Sequence, residues 1–490
     1  MLGLHMGKLP ALPDEDFFAS KDTDYWIQEI NRASVVCNVE SGLLDKGLAR
    51  EIRDALNQLR QESLKSQDKC ELYITWEPKL LALVGTKASV LHVGRSSQDI
   101  LATCALQQYR QSMVRFGHCI NRLRNTLIEL AEREKSALVP AYTNGVQAQP
   151  TLYAHYLLAM YEVFSRDLER LHQCFDRYSY SPMGSGVCNG SGWPLDSEKM
   201  AHFLGLKGVC ANAFDAGQCQ GNDLPLELAG IIHAVMLHIN LMLSDFMKQY
   251  CQTKPWINLM SSNGIYPSSA MPQKRNPGIV NDCRRDAGIV MAQAHSVGLR
   301  LQNLSYGMAD LRDVITMRDF FKDACTVVMS FDGIINSLAV DHERALEELN
   351  ADWTCTQEIA DTLVRLSGVD FRSGHRFASY LVTWARKHGK TPVTTTYSEV
   401  SSLWSEFIQT QELADIVLSF PLTEEQLLQC LSAQGIVNER KTIGSTNPVM
   451  VLKALKQARL AIEKENIKYQ DWKQWEQSRE SELEAKLASL

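Results

Sequence analysis

The chain has 490 residues, 45% of them hydrophobic and 22% charged, with a formal net charge of -7. That is the composition of a soluble globular protein, and the length leaves room for about three domains. A net negative chain with no basic run gives no reason to expect nucleic acid or a membrane surface as partner. The first 18 residues mix Lys8, Asp14, Glu15 and Asp16 with prolines and lack the apolar core of a secretion signal. The thirteen cysteines show no Cys-x-x-Cys pair and no Cys/His cluster at metal spacing, which predicts reduced, buried thiols in a cytoplasmic protein. Nothing calls for a metal or an organic cofactor.

In chain order, helices are expected over residues 24–36, 41–62 and 76–84, and only residues 71–75 look extended. Then Leu106, Met113, Ile120 and Leu127 recur every seventh residue, with Tyr109, Phe116, Leu123 and Leu130 three places behind each. Two interleaved heptad series make a seam for another long helix, and Pro140 closes the run. Residues 152–175 read as a further helix. Residues 228–246 are apolar, with no formal charge from 228 to 244, but they carry His233, His238 and Asn240. The stretch is short of the roughly 20 residues of a span, so a helix buried on all sides in a bundle is expected. Residues 279–302 and 308–349 continue the pattern.

The pattern breaks at residues 352–354. Shorter helices follow at 355–366 and 372–387, with a loop at 391–396. After Pro448 a helix runs to the end, and from Ala461 its mostly charged residues predict a solvated face. The fold class is all-α, with a helical segment over 1–99, a central long-helix bundle over 100–352, and a small helical C-terminal part over 353–490.

The most specific stretch is Tyr266-Pro267-Ser268-Ser269-Ala270-Met271-Pro272-Gln273-Lys274-Arg275-Asn276-Pro277, a loop within residues 264–278 that feeds a helix. It aims hydroxyls, an ammonium and backbone N–H groups at one place, which suits a carboxylate. By composition it is an ordinary surface turn. As a string it resembles the signature loop of the aspartase/fumarase superfamily, Gly-Ser-Ser-x-Met-Pro-x-Lys-x-Asn, at six of seven specified positions. His92-Val93-Gly94-Arg95-Ser96-Ser97-Gln98-Asp99 and Thr143-Asn144-Gly145-Val146-Gln147-Ala148-Gln149-Pro150 are similar to strings of the argininosuccinate lyase branch. So are residues 368–372 with His375, and residues 440–446.

The resemblance implies a three-domain, mostly helical homotetramer whose active sites are shared between subunits and act on a small carboxylate substrate. In the family reaction a proton leaves the carbon beside a carboxylate and the nitrogen on the next carbon departs, leaving fumarate. Ser268 matches the family base, and Lys274 is the cation that would let a weakly acidic hydroxyl serve as one. Arg95, Ser96, Ser97, Gln98, Thr143, Gln147, Ser269, Met271, Asn276 and Tyr306 match substrate-binding positions, where fixed donors stabilise the carbanion.

Two departures stand out. The family His after the Thr and its Glu partner are Asn144 and Asn281 here, and neither amide is an acid near neutral pH. Ser97 and Gln147 stand where the family has Arg, and Pro267 where it has Gly. The expectation is a lyase that eliminates, or adds in reverse, a nitrogen-linked or activated leaving group on a succinate-like or amino-acid substrate other than argininosuccinate. The competing readings are a catalytically silent, crystallin-like structural or partner-binding homologue, and a genuine argininosuccinate lyase.

Overall fold

A computed structural model describes residues 21–66, 68–260, 264–307, 314–410 and 419–490. After α1 (Thr23–Glu40), α2 (Lys46–Lys65) and α3 (Tyr73–Val84), the chain enters α4, the 37-residue helix Ser97–Arg133. The hairpin β1 (Leu138–Thr143) and β2 (Val146–Leu152) leads into α5 (Tyr153–Arg177). A short helix, Ser197–Phe203, precedes α6 (Gln220–Tyr250). Short strands β3 (Ile257–Leu259), β4 (Ile265–Pro267) and β5 (Arg275–Pro277) lead to α7 (Gly278–Leu301), α8 (Val314–Asn336), β6 (Leu338–Val340) and α9 (His342–Asn350). Then come α10 (Thr356–Ser367), α11 (Phe371–Lys387) and α12 (Tyr397–Thr410). Two short helices, Glu424–Leu431 and Ala433–Glu439, precede α13 (Pro448–Ala488).

Helices α4 to α8 form the expected long-helix bundle: α4 packs on α5 and α8, and α6 packs on α5 and α7. All eight heptad residues of α4 are buried, Leu106 and Tyr109 being the most exposed at 4% each. One hydrophobic core runs through α1 to α8 and takes in the apolar stripe of α13, including Val451, Leu455, Ile462 and Leu483. A second core gathers Ile359, Phe377, Trp404 and Phe420.

Five expectations change, four of them here and the fifth at α6. Residues 71–75 are not a strand, because α3 starts at Tyr73. Pro140 does not end α4, which stops at Arg133; it sits inside β1, opposite Pro150. The helix expected over 308–349 is broken by β6, which pairs with β3, and α9 restarts behind the N-cap of Asp341; residues 308–313 lie outside the described set. The charged tail is not solvated all round. Arg479 and Glu476 are buried against α1, where Lys21 Nζ lies 2.9 Å from Glu476 and Arg479 donates to the Phe203 carbonyl at 2.7 Å and to Glu29 at 3.4 Å.

Helix α6 has the length and apolar composition to cross a membrane, yet it lies in the bundle. It is not buried on all sides, since Leu226, Leu237 and Leu241 are exposed along one stripe. Its neighbour α7 runs antiparallel: His233 faces His295 with Nε2 atoms 3.2 Å apart, and Gly298 approaches Leu226.

Candidate active site

The first group of candidate residues sits where α4 begins. Ser96 is the N-cap: its backbone N–H donates to Asp99 Oδ1 at 2.9 Å and its Oγ accepts from the Gln98 N–H at 3.2 Å. Asp99 also accepts from the backbone of Gly186 at 3.1 Å and Gly184 at 3.4 Å. It is fully buried, and burial lifts its carboxyl from 3.8 to about 6 in spite of those donors. Arg95 is turned inward. It donates to Ser34 Oγ at 2.8 Å, Asn31 Oδ1 at 3.0 Å and Tyr73 Oη at 3.2 Å, with its guanidinium over the Tyr73 ring. His92 stacks on the same Tyr73, and burial beside Arg95 pushes its pKa down.

Gln98 donates to the Gly217 carbonyl in the wide helical turn Asp215–Cys219 that opens α6. Tyr306, largely exposed, stands beside Gly307, whose Cα hydrogen side faces Gln218 of the same turn. Ser97 is half-buried at the first position of α4. Arg95, Ser96, Ser97, Gln98 and Tyr306 therefore gather at the N-terminal end of α6.

The remaining candidates lie at the other end, on two hairpins and the first turns of α7. In the first, Thr143 pairs with Val146 across the two-residue turn Asn144-Gly145, with φ 53° and 78°. Positive φ at both positions defines the type I′ turn, which Asn-Gly favours because it matches strand twist. Asn144 is exposed at the tip. The base is clamped: Thr446 Oγ1 accepts from the Leu152 N–H at 2.8 Å, and Gln147 donates to the Glu348 carbonyl at 3.2 Å.

The second hairpin carries the signature loop. Strand β4 pairs with β5 through Ile265–Pro277, Tyr266–Asn276 and Pro267–Arg275, and residues 268–274 form the tip. Ser268 Oγ accepts from the backbone N–H of Met271 at 3.1 Å and of Ala270 at 3.3 Å, while Ser268 N–H donates to the Lys274 carbonyl at 3.2 Å. Two donors on the hydroxyl oxygen favour its negative form. Asn276 Nδ2 donates back to the Tyr266 carbonyl at 3.3 Å. Ser269, Met271 and Lys274 are exposed, as is Asn281 on the first turns of α7. Gly264, with φ 86°, lets β4 start against Ile279, where a Cβ would lie 2.5 Å from the isoleucine Cβ.

The last turn of α6 touches both hairpins, through Tyr142 to Gln249 at 3.5 Å and Tyr250 to the Arg275 carbonyl at 3.3 Å. No hydrogen bond joins the two hairpins directly among the described residues. Between the two ends stands α6 itself, Gln220–Tyr250, a rod of about 45 Å at 1.5 Å per residue. Arg95 and Gln98 of one chain are thus far out of reach of its own Ser268.

A cavity of about 810 Å³ opens behind the first hairpin, lined by Tyr142, Asn144, Tyr156, Phe246, Trp256 and Phe331 among others. These residues come from β1 and its turn, α5, α6, the approach to β3 and α8 and share no local motif, so no string in the sequence signals them.

Comparison with known proteins gives this arrangement a class. The lyase family matches residues 14–292, and the argininosuccinate lyase C-terminal family matches residues 353–438. The chain belongs to the lyase family of the aspartase/fumarase superfamily. Within it, the chain falls in the argininosuccinate lyase-like branch. It is 27% identical over 462 residues to the argininosuccinate lyase of Methanosarcina acetivorans, covering 91% of this chain and 90% of that protein. To the argininosuccinate lyase of Bacillus cereus it is 28% identical over 471 residues, covering 93% and 96%. The fold matches an EDDS lyase variant with bound fumarate, at TM-score 0.84, 20% identity and coverage of 99% and 97%. It also matches a class II fumarase from Schistosoma mansoni, at TM-score 0.64, 14% identity and coverage of 87% and 91%.

Proposed function

We propose that this lyase catalyses β-elimination, or the reverse addition, of a nitrogen-linked or otherwise activated leaving group on a succinate-like or amino-acid substrate, and that argininosuccinate is turned over poorly. The observation that carries this is a kept loop beside an altered acid: Ser268, Lys274 and Asn276 stand together on one hairpin, while Asn144 and Asn281 replace the His/Glu pair. Ser268 takes the proton from the carbon beside a carboxylate, its Oγ already receiving two backbone N–H groups and lying in a loop with Lys274. Asn276, Thr143, Ser96 and Gln98 supply donors to the carbanion, with Arg95, Ser97, Gln147, Ser269, Met271 and Tyr306 shaping the remainder. Asn144 and Asn281 hold the leaving-group end by hydrogen bonding without donating a proton.

Magnitude favours this over argininosuccinate cleavage. A positioned general acid is worth about 10²- to 10⁴-fold, or roughly 3–5 kcal/mol. Expulsion of a poor leaving group would feel that loss in full. A group stable as an anion, or already protonated, would not. The relatives named argininosuccinate lyase and the neighbour holding fumarate support a dicarboxylate frame for the substrate.

The same reading includes a cytoplasmic homotetramer with sites shared between subunits. Its support is the separation of the two candidate clusters along α6 and the exposed leucines of α6 and α7, Leu226, Leu237, Leu241 and Leu299. The test is fumarate absorbance on incubation with argininosuccinate and a panel of N-substituted aspartates. Ordinary turnover of argininosuccinate would overturn the reading of the two amides, and silence on every substrate, unchanged in Ser268→Ala, would favour a structural role.

A further inference from the structure

We propose that the cavity behind the Asn144 hairpin binds the leaving group, and that this group is an amine bearing a bulky apolar, preferably aromatic, substituent. The inference rests on the elimination reading and adds the substrate class to it.

Three observations converge. First, position: Asn144 and Gly145 belong at once to the hairpin tip and to the cavity wall, so a substituent on a nitrogen held at Asn144 has the cavity directly behind it. Second, chemistry: Tyr142 and Tyr156 present ring surface, with Phe246 and Trp256 almost wholly buried in the same wall, and the charged lining residues Asp245 and Lys248 face each other at 3.3 Å, leaving no net charge for a cationic group such as a guanidinium. Third, size: about 810 Å³ lies within the range of sites that enclose whole small molecules and far exceeds what ammonia or methylamine fills.

The step balances without a co-reactant. In an N-substituted aspartate carried as its secondary ammonium the C3 proton goes to Ser268 acting as the alkoxide, the C3–H electron pair forms the C2=C3 double bond of fumarate, and the C2–N pair leaves on the neutral amine. The amine then takes up one proton, so the products are fumarate and the alkylammonium.

The experiment compares kcat/KM for fumarate release by the full-length assembled protein from aspartates carrying N-methyl, N-butyl and N-(2-phenylethyl) groups. We expect a rise on the order of 100-fold from methyl to 2-phenylethyl, the scale on which burial of a ring favours one substrate over another. Ala159→Phe, at an exposed helix position on the cavity wall, should shrink that ratio roughly tenfold. Equal kcat/KM across the series, or a ratio that Ala159→Phe leaves alone, overturns the proposal while fumarate release keeps the elimination reading. If no aspartate is turned over, calorimetry with 2-phenylethylamine alone decides: binding weakened by Ala159→Phe supports the cavity site, and no binding ends it.

Discussion

The Tyr250 phenol donates to the Arg275 carbonyl at 3.3 Å, fastening the base of the signature hairpin to the last turn of α6. The adjacent Gln249 receives the Tyr142 hydroxyl from the other hairpin at 3.5 Å. One helical turn thus registers both hairpins, and Tyr250→Phe should loosen the second without disturbing the core. We expect kcat for fumarate release to fall roughly 3- to 10-fold, with unfolding free energy reduced by no more than about 1.5 kcal/mol. Steady-state kinetics beside denaturant melts checks both numbers.

Ser268→Ala removes the proposed base and the acceptor for two backbone N–H groups in an exposed tip. Turnover should drop about 10²- to 10⁴-fold, while stability changes by about 1 kcal/mol or less because water replaces the lost acceptor. A fall in kcat with unchanged thermal melting is the expected pair of readings.

The two amides are expected to act as a unit. Histidine tolerates positive φ better than most residues, so Asn144→His fits the turn whose φ is 53°. Restoring one partner alone should gain little. Asn144→His with Asn281→Glu should raise argininosuccinate cleavage at least roughly tenfold beyond the product of the single effects, as a double-mutant cycle measures.

Asp99 gives a pH signature with a definite sign. Its folded pKa, about 6, exceeds the unfolded 3.8, so between those values the native state holds more protons than the unfolded one. The contribution is fully present below about pH 4 and is lost as pH rises through about 6. The size is about 3 kcal/mol at roughly 1.4 kcal/mol per unit. Other carboxylates titrate in the same window, so the check is the difference curve between the wild type and Asp99→Asn, which should decline over that interval and level off above it.

Arg479 lies between Glu29 and Glu476, with all three side chains about 3% exposed. Arg479→Ala removes a cation shared by two buried carboxylates, of which Glu476 keeps Lys21 at 2.9 Å and Glu29 keeps Arg60 at 2.7 Å, and should cost about 1.5–3 kcal/mol. Loss of the C-terminal helix's protection from amide exchange would accompany the change in melting temperature.

How much of this was legible in the sequence differs by scale. The bundle was, because a heptad repeat sustained from Leu106 to Leu130 admits few structures other than a long packed helix. The hairpins were not, since their strands span three to seven residues and the Asn144-Gly145 turn signal has no long alternating strands beside it. The tail misled because its buried positions, Val451, Ala458, Glu476 and Arg479 among them, include charged residues whose partners lie some 450 positions away. Within the candidate site, the motif strings located the residues on three segments. Their partners were hidden: nothing local reveals that Arg95 leans on Tyr73 or that Gln98 grips Gly217.

A folded helix neither stretches nor shortens appreciably, so the length of α6 acts as a fixed gauge between what a chain offers at one tip and what it lacks there. On the proposed assembly with shared sites, dilution below the point where neighbours separate should silence the protein while leaving every fold element intact, and the protomer concentration at half-maximal specific activity would then report association strength rather than substrate affinity.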